Sequence, residues 1–124
     1  MQILNLTQHN STPAQKEAGV IEPEVEDKEL IKNLLTFDKI PCDTEIKAKA
    51  TSLAKIAKKY GVPYAMIGGA PFLMAALEKA LRAYKITPIY AFSKREVTET
   101  TLPDGSVEKK SVFKHIGFIE PPIC

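Results

Sequence analysis

A chain of 124 residues, 44% apolar and 26% charged, has the make-up of one ordinary globular domain covering residues 1–124, and it is too short for two. Its net charge of +2 gives no basic stripe of the kind that duplex DNA requires, and no run of about 18 apolar residues is present to span a membrane. The opening "MQILNLTQHN" lacks the basic start and long apolar stretch of a signal peptide, so the expected location is the cytoplasm. Cys42 and Cys124 are isolated and have no spacing that suits a metal or a redox pair, so no disulfide is expected.

In chain order, Ile3, Leu4 and Leu6 make an apolar run of strand length. Thr12 then suits an N-cap, Pro13 the first helical position and Gln15 the third member of a capping box, with Gly19 ending the short helix. The acidic "IEPEVEDKE" reads as a connector and "ELIKNLLTF" as a second helix, interrupted at "IPCD" because Pro41 disfavours helical geometry at Ile40. Asp43 is the expected cap of a third helix, in which Ile46, Ala50, Leu53, Ala54, Ala57 and Tyr60 share one face at three-four spacing. Lys47, Lys49, Lys55, Lys58 and Lys59 occupy the other side, which is expected to be solvated, and Gly61 and Pro63 stop the helix.

Residues 64–67 read as a buried strand, 72–84 as a helix and "TPIYAF" as a further strand, a succession that signals a parallel strand-helix-strand unit. Beyond it the pattern alternates around Asp104-Gly105, a hairpin signal. The expected class is therefore α/β: a mostly parallel sheet flanked by helices and closed by a C-terminal antiparallel hairpin. On the returning strand, alternation puts Val112, Lys114, Ile116 and Phe118 on one face and Phe113, His115 and Gly117 on the other.

Ligands of open parallel sheets bind beyond the carboxyl ends of the strands, where loops enter helix N-termini. Gly68, Gly69 and Ala70 occupy such a place, where the absence of a side chain lets backbone N–H groups approach an anion and the helix dipole favours it. The first strand leads into Thr7, Gln8, His9 and Asn10, and the third into Ser93, Lys94 and Arg95, so three loops are expected to converge on one rim. The competing readings are ordinary ones: a glycine pair for tight packing, a loop histidine bonded to its own backbone, a charged strand edge that blocks aggregation, and His115 as a satisfied sheet residue. Pairing across the Asp104-Gly105 turn is expected to bring Arg95 and His115 near each other.

Both ends of the chain resemble the small standalone CRISPR-associated proteins of the ring-nuclease group. The C-terminal likeness lies in Tyr90, Ser93, Arg95, the Asp104-Gly105 turn and the return strand with Phe113, His115 and Phe118; the N-terminal one lies in His9, Thr12, Pro13 and Gln15. The likeness covers about half the chain; residues 20–62 match no part of that pattern. The resemblance implies a Rossmann-like domain related to CARF domains, usually a homodimer, that binds cyclic oligoadenylate and cuts the ring to switch off type III CRISPR signalling.

Such a cut needs no metal and no cofactor: a ribose 2′-hydroxyl attacks the adjacent phosphate in line and expels the 5′-oxygen. Arg95, Lys94 and the amides near Gly69 are the expected charge stabilisers, and His9 or His115 the proton carrier. Thr7, Gln8, Asn10, Gly68, Gly69, Ala70, Ser93 and Lys94 are the expected ligand contacts. A protein that sequesters the ring without cutting it would share every loop. A small host- or phage-encoded interaction protein without a nucleotide ligand is the third reading.

Overall fold

The computed structural model describes residues 1–123; Cys124 lies outside them. The chain runs β1 (Ile3–Asn5), α1 (Pro13–Glu17), β2 (Val20–Ile21), α2 (Val25–Leu35), α3 (Asp43–Lys59), β3 (Tyr64–Met66), α4 (Pro71–Ala83), β4 (Thr87–Thr101) and β5 (Val107–Ile119). The strands form one five-stranded sheet in the order β2-β1-β3-β4-β5. The first four are parallel and β5 is antiparallel to β4, so the sheet is mixed. Parallel neighbours need crossover connections, and the helices between the strands supply them.

Register assigns the faces. Leu4 lies opposite Ala65 and Ala65 opposite Pro88, while Ile3 lies beside Val20 and Tyr64 and Met66 beside Ile89. Strand side chains alternate, so Leu4, Leu6 and Ala65 meet α2, α3 and α4 through Ile31, Leu53, Leu73, Leu77 and Leu81, all 0% exposed. Each such leucine or isoleucine contributes about 1.5–3 kcal/mol by leaving water. The opposite face carries only a small cluster, Ile3, Val20, Met66 and Ile89, edged by Tyr64 and Phe118.

Local signals work where both partners are close in sequence. Thr12 caps α1 and Gln15 returns the bond to the Thr12 backbone, as the capping box requires. Asp43 does not cap α3: Cys42 holds the extended cap backbone, and Asp43 stands in the first turn with an ion pair to Lys47 at 2.9 Å. The helix thus starts one residue earlier than expected, directly after the extended segment that Pro41 enforces. The expected acidic connector is also shorter, since Val20–Ile21 pairs with β1 and α2 begins at Val25 with Glu26 and Asp27 in its first turn. Acidic residues suit that end of a helix dipole.

The lysine side of α3 is less free than its pattern implies. Lys59 and the Tyr60 hydroxyl both donate to the buried Asp27 of α2, and together they hold that carboxyl below its ordinary value. Lys49 lies over the Phe37 ring at 4.1 Å and Lys58 over Tyr84 at 4.9 Å.

The C-terminal antiparallel hairpin forms as expected; the departure lies at Ser93, Lys94 and Arg95, where the sequence predicts a loop and the structure has an unbroken β4. It continues past Phe92 to Thr101, paired throughout with β5, and residues 91–114 are exposed along both strands. Gly105, at φ +86°, and the Asp104 carboxylate, which accepts from the Ser106 N–H and hydroxyl, close the turn. Phe92 pairs with Gly117 and Ser93 with His115, leaving Ile116 as an extra residue on β5. This bulge reverses the alternation, so His115 and Phe118 share a face and their rings lie 4.9 Å apart. Among the described residues no helix is long and apolar enough to cross a membrane.

Candidate functional site

A cleft of about 520 Å³ opens where the strand order reverses, between the carboxyl ends of β1 and β3. Doubly wound sheets bind ligands at this point, because the connections on either side depart in opposite directions and leave a gap. The volume falls within the usual range of small-molecule sites.

One wall is the loop after β1. Asn5, fully buried in an otherwise apolar strand, donates its amide to the His9 carbonyl at 2.7 Å and to the Glu22 carboxylate at 3.0 Å. Its side-chain oxygen accepts from the Thr7 N–H at 2.9 Å and the Thr7 hydroxyl at 2.7 Å. Lys28 reaches across from α2 and donates to the Thr7 and His9 carbonyls at 3.0 and 2.9 Å. Glu22 accepts from the Ser11 N–H and hydroxyl. Loop carbonyls are thereby turned inward, and Thr7, Gln8, His9 and Asn10 border the cleft. Burial works to raise the Glu22 carboxyl, but the Ser11 donors, the Asn5 amide and the Lys28 charge outweigh it and hold the group below its ordinary value.

The other wall is the turn from β3 into α4. Gly69 has φ +149°, a backbone region that L side chains rarely adopt, and a Cβ added there would meet Met74 and Leu35 at ordinary contact distance. Conformation, not space, requires the glycine. Ala70 is the N-cap of α4, makes no side-chain cap bond, and is followed by Pro71. The first turn of α4 thus points its dipole into the cleft without a side-chain oxygen occupying it.

Of the expected site residues, Thr7, Gln8, His9, Asn10, Gly68, Gly69 and Ala70 come together around this cleft. Ser93, Lys94, Arg95 and His115 do not line it. No loop follows Phe92, because cross-strand pairing with β5 extends β4 through these residues, so two loops converge and not three. Ser93 faces His115 about 7 Å along the strand from Ala91, the last cleft residue on β4, and Arg95 is about 7 Å further. Arg95 pairs with Phe113 and donates to the Ser111 hydroxyl at 3.2 and 2.9 Å, directed along the ribbon and away from His115. His115 keeps a buried Nδ1 with no hydrogen-bond partner among the described residues.

Sequence reasoning notes Tyr90 only as part of the terminal likeness and gives it no place in the site, yet it forms part of the cleft wall from β4 while its hydroxyl donates to Glu78 of α4. Burial and that bond raise the phenol well above its ordinary value, so it acts as a hydrogen-bonding group at neutral pH. Alignment of "YAMIGG" with "TPIYAF" as parallel neighbours carries the signal, since Met66 opposite Ile89 places Tyr90 level with Ile67. The network around Asn5 is also missed, although a lone polar residue in "ILNL" marks it.

Among the described residues His9 is the one imidazole bordering the cleft, and no lysine, arginine or carboxylate of theirs lines it. An anion there would be held by backbone N–H groups and the α4 dipole. No curated protein and no solved structure matches the chain. A family model does match, over residues 1–119, from before β1 to the last residue of β5, and the chain belongs to the uncharacterized protein MJ1673 family.

Proposed function

We propose that the domain is Rossmann-like and CARF-related, and that its cleft binds a phosphodiester, with cyclic oligoadenylate as the ligand the terminal motifs imply. One observation carries the reading: an uncapped, glycine-preceded helix N-terminus faces a polar loop across a cleft at the sheet's switch point. A phosphate seated at Gly69 would accept from backbone amides and leave the ribose toward Thr7, Gln8, His9 and Asn10.

Cleavage follows from the same placement. The 2′-oxygen bonds to phosphorus as its proton passes to the His9 imidazole, and the phosphorus–O5′ bond breaks as O5′ takes up a proton. The products are a 2′,3′-cyclic phosphate and a 5′-hydroxyl. Ser93, Lys94, Arg95 and His115 act on a ring only if it extends from Gly69 past Ala91 onto the base of the ribbon, or if a second copy presents them. A two-fold symmetric ring also suits a homodimer.

Incubation with cyclic tetra-adenylate followed by chromatography tests the proposal. Linear products that disappear in His9→Ala support the nuclease. Intact nucleotide with a shifted protein melting temperature supports the second reading, a sequestering protein, which the scarcity of titratable groups in the cleft favours. Neither binding nor cleavage ends both and leaves an interaction protein without a nucleotide ligand.

A further inference from the structure

The outer edge of β5 is the second feature of this molecule without a partner. β5 is the edge strand of the sheet, it has no proline between Val107 and Ile119, and among the described residues no helix or loop covers it over 107–114. From Ala91 to Lys114 every residue of the ribbon is exposed, including Val97 and Val107, 57% and 56% exposed, and Phe113 at 76%. Two strands alone are marginally stable in water, whereas three or more with an apolar face hold together. Bare edges of this length are templates for another strand.

We infer that β5 pairs antiparallel with β5 of a second copy about a two-fold axis through Ser111, making one sheet continuous across two molecules. Antiparallel neighbours must share a face, so two-fold pairing always sets one residue opposite its own copy. An axis at Glu108, Lys109, Lys110 or Lys114 sets a charge against itself. An axis at Val112 sets Lys110 against Lys114, and an axis at Phe113 runs the ladder across the Ile116 bulge, where pairing ends. The axis at Ser111 has none of these defects. It sets Glu108 opposite Lys114 of the second copy, twice by symmetry, Lys109 opposite Phe113, Lys110 opposite Val112, and Val107 opposite His115.

The lysines that blunt this edge against indiscriminate pairing therefore also reject the registers centred on Lys109, Lys110, Val112 and Lys114. In the Ser111 register Val97, Val107 and Phe113 lie on one face by cross-strand register, and Phe113 packs beside the aliphatic stem of Lys109 of the second copy. The inference does not depend on any ligand in the cleft.

Charge exchange tests it on the full chain. Sedimentation velocity over a concentration series is expected to show a dimer for the native chain. Glu108→Lys and Lys114→Glu, each of which creates two like-charged pairs, should each weaken dimerisation about tenfold or more. The double exchange Glu108→Lys with Lys114→Glu should restore it. Circular dichroism melts keep the single variants interpretable, since both sites are exposed on the ribbon. Ser111→Cys, with Cys42 and Cys124 changed to serine, should form an intermolecular disulfide on oxidation. A native monomer at all concentrations, a dimer indifferent to either single exchange, or a double exchange that stays monomeric would each overturn the inference.

Discussion

The side-chain amide of Asn5, 0% exposed at the end of β1, stands 3.0 Å from the carboxylate of Glu22 just beyond β2. Through this contact the two strands share one polar network, and the network sets the backbone of the loop that borders the cleft. Asn5→Asp is expected to place a second carboxylate against Glu22 and to cost about 3 kcal/mol or more, since one partner of a buried charged set is left opposed. Urea unfolding measures it; a loss below about 1 kcal/mol would mean the network contributes little.

Acid should expose the same network. Glu22 and Asp27 are both held below their ordinary values of 4.5 and 3.8. The unfolded chain therefore binds more protons than the folded one as pH falls through and below those values. Stability is fully present above about pH 5 and is lost progressively beneath it. Urea midpoints between pH 6 and pH 3 should fall less steeply in Glu22→Gln than in the native chain, and equal slopes would show that Glu22 is not a source of the acid sensitivity.

The adjacent glycines of the second loop should respond differently to the same change. An added Cβ at Gly68 meets only a Thr7 methyl at 3.7 Å, so Gly68→Ala is expected to cost under about 0.5 kcal/mol. Gly69 carries φ +149°, and Gly69→Ala should cost about 1–3 kcal/mol and move the amide that faces the cleft. Paired melts of the two variants decide this, and similar losses would contradict a conformational role for Gly69.

His115 offers a test that separates packing from chemistry. Its Nδ1 is buried without a partner among the described residues, and its ring lies 4.9 Å from that of Phe118. His115→Leu removes an unsatisfied polar atom and retains an apolar side chain, so stability should be unchanged or raised by up to about 1 kcal/mol. A large loss of stability would show that the imidazole makes a bond essential to the ribbon's base. If nucleotide turnover exists and vanishes in this stable variant, His115 belongs to the chemistry.

The parts of the fold legible in the sequence are those decided within a few residues. The Thr12 and Gln15 capping box, the apolar stripe of α3, the Gly61 stop and the Asp104-Gly105 turn all appear where their residues predict. The two loops that border the cleft are legible for the same reason, since each follows an apolar strand and precedes a helix start. β2 is not, because two residues become a strand only by pairing with β1. The closing hairpin is legible from its alternation and its Asp104-Gly105 turn, but Ser93, Lys94 and Arg95 resemble a loop, and only pairing with β5 keeps them extended. Asn5 likewise gains its role from Glu22, seventeen positions away and just past the end of another strand.

Ile116 sets where the ribbon can bend. On the side toward the turn the two strands stay in step, so flexing would break bonds between them; toward the body the first residues of β4 are pinned to β3. The surplus residue falls between these stretches, level with Phe92 and Ser93 and one step from the cleft's Ala91. The bulge bends and twists β5 there, so the direction in which the ribbon leaves the sheet is set at a single point beside the cleft.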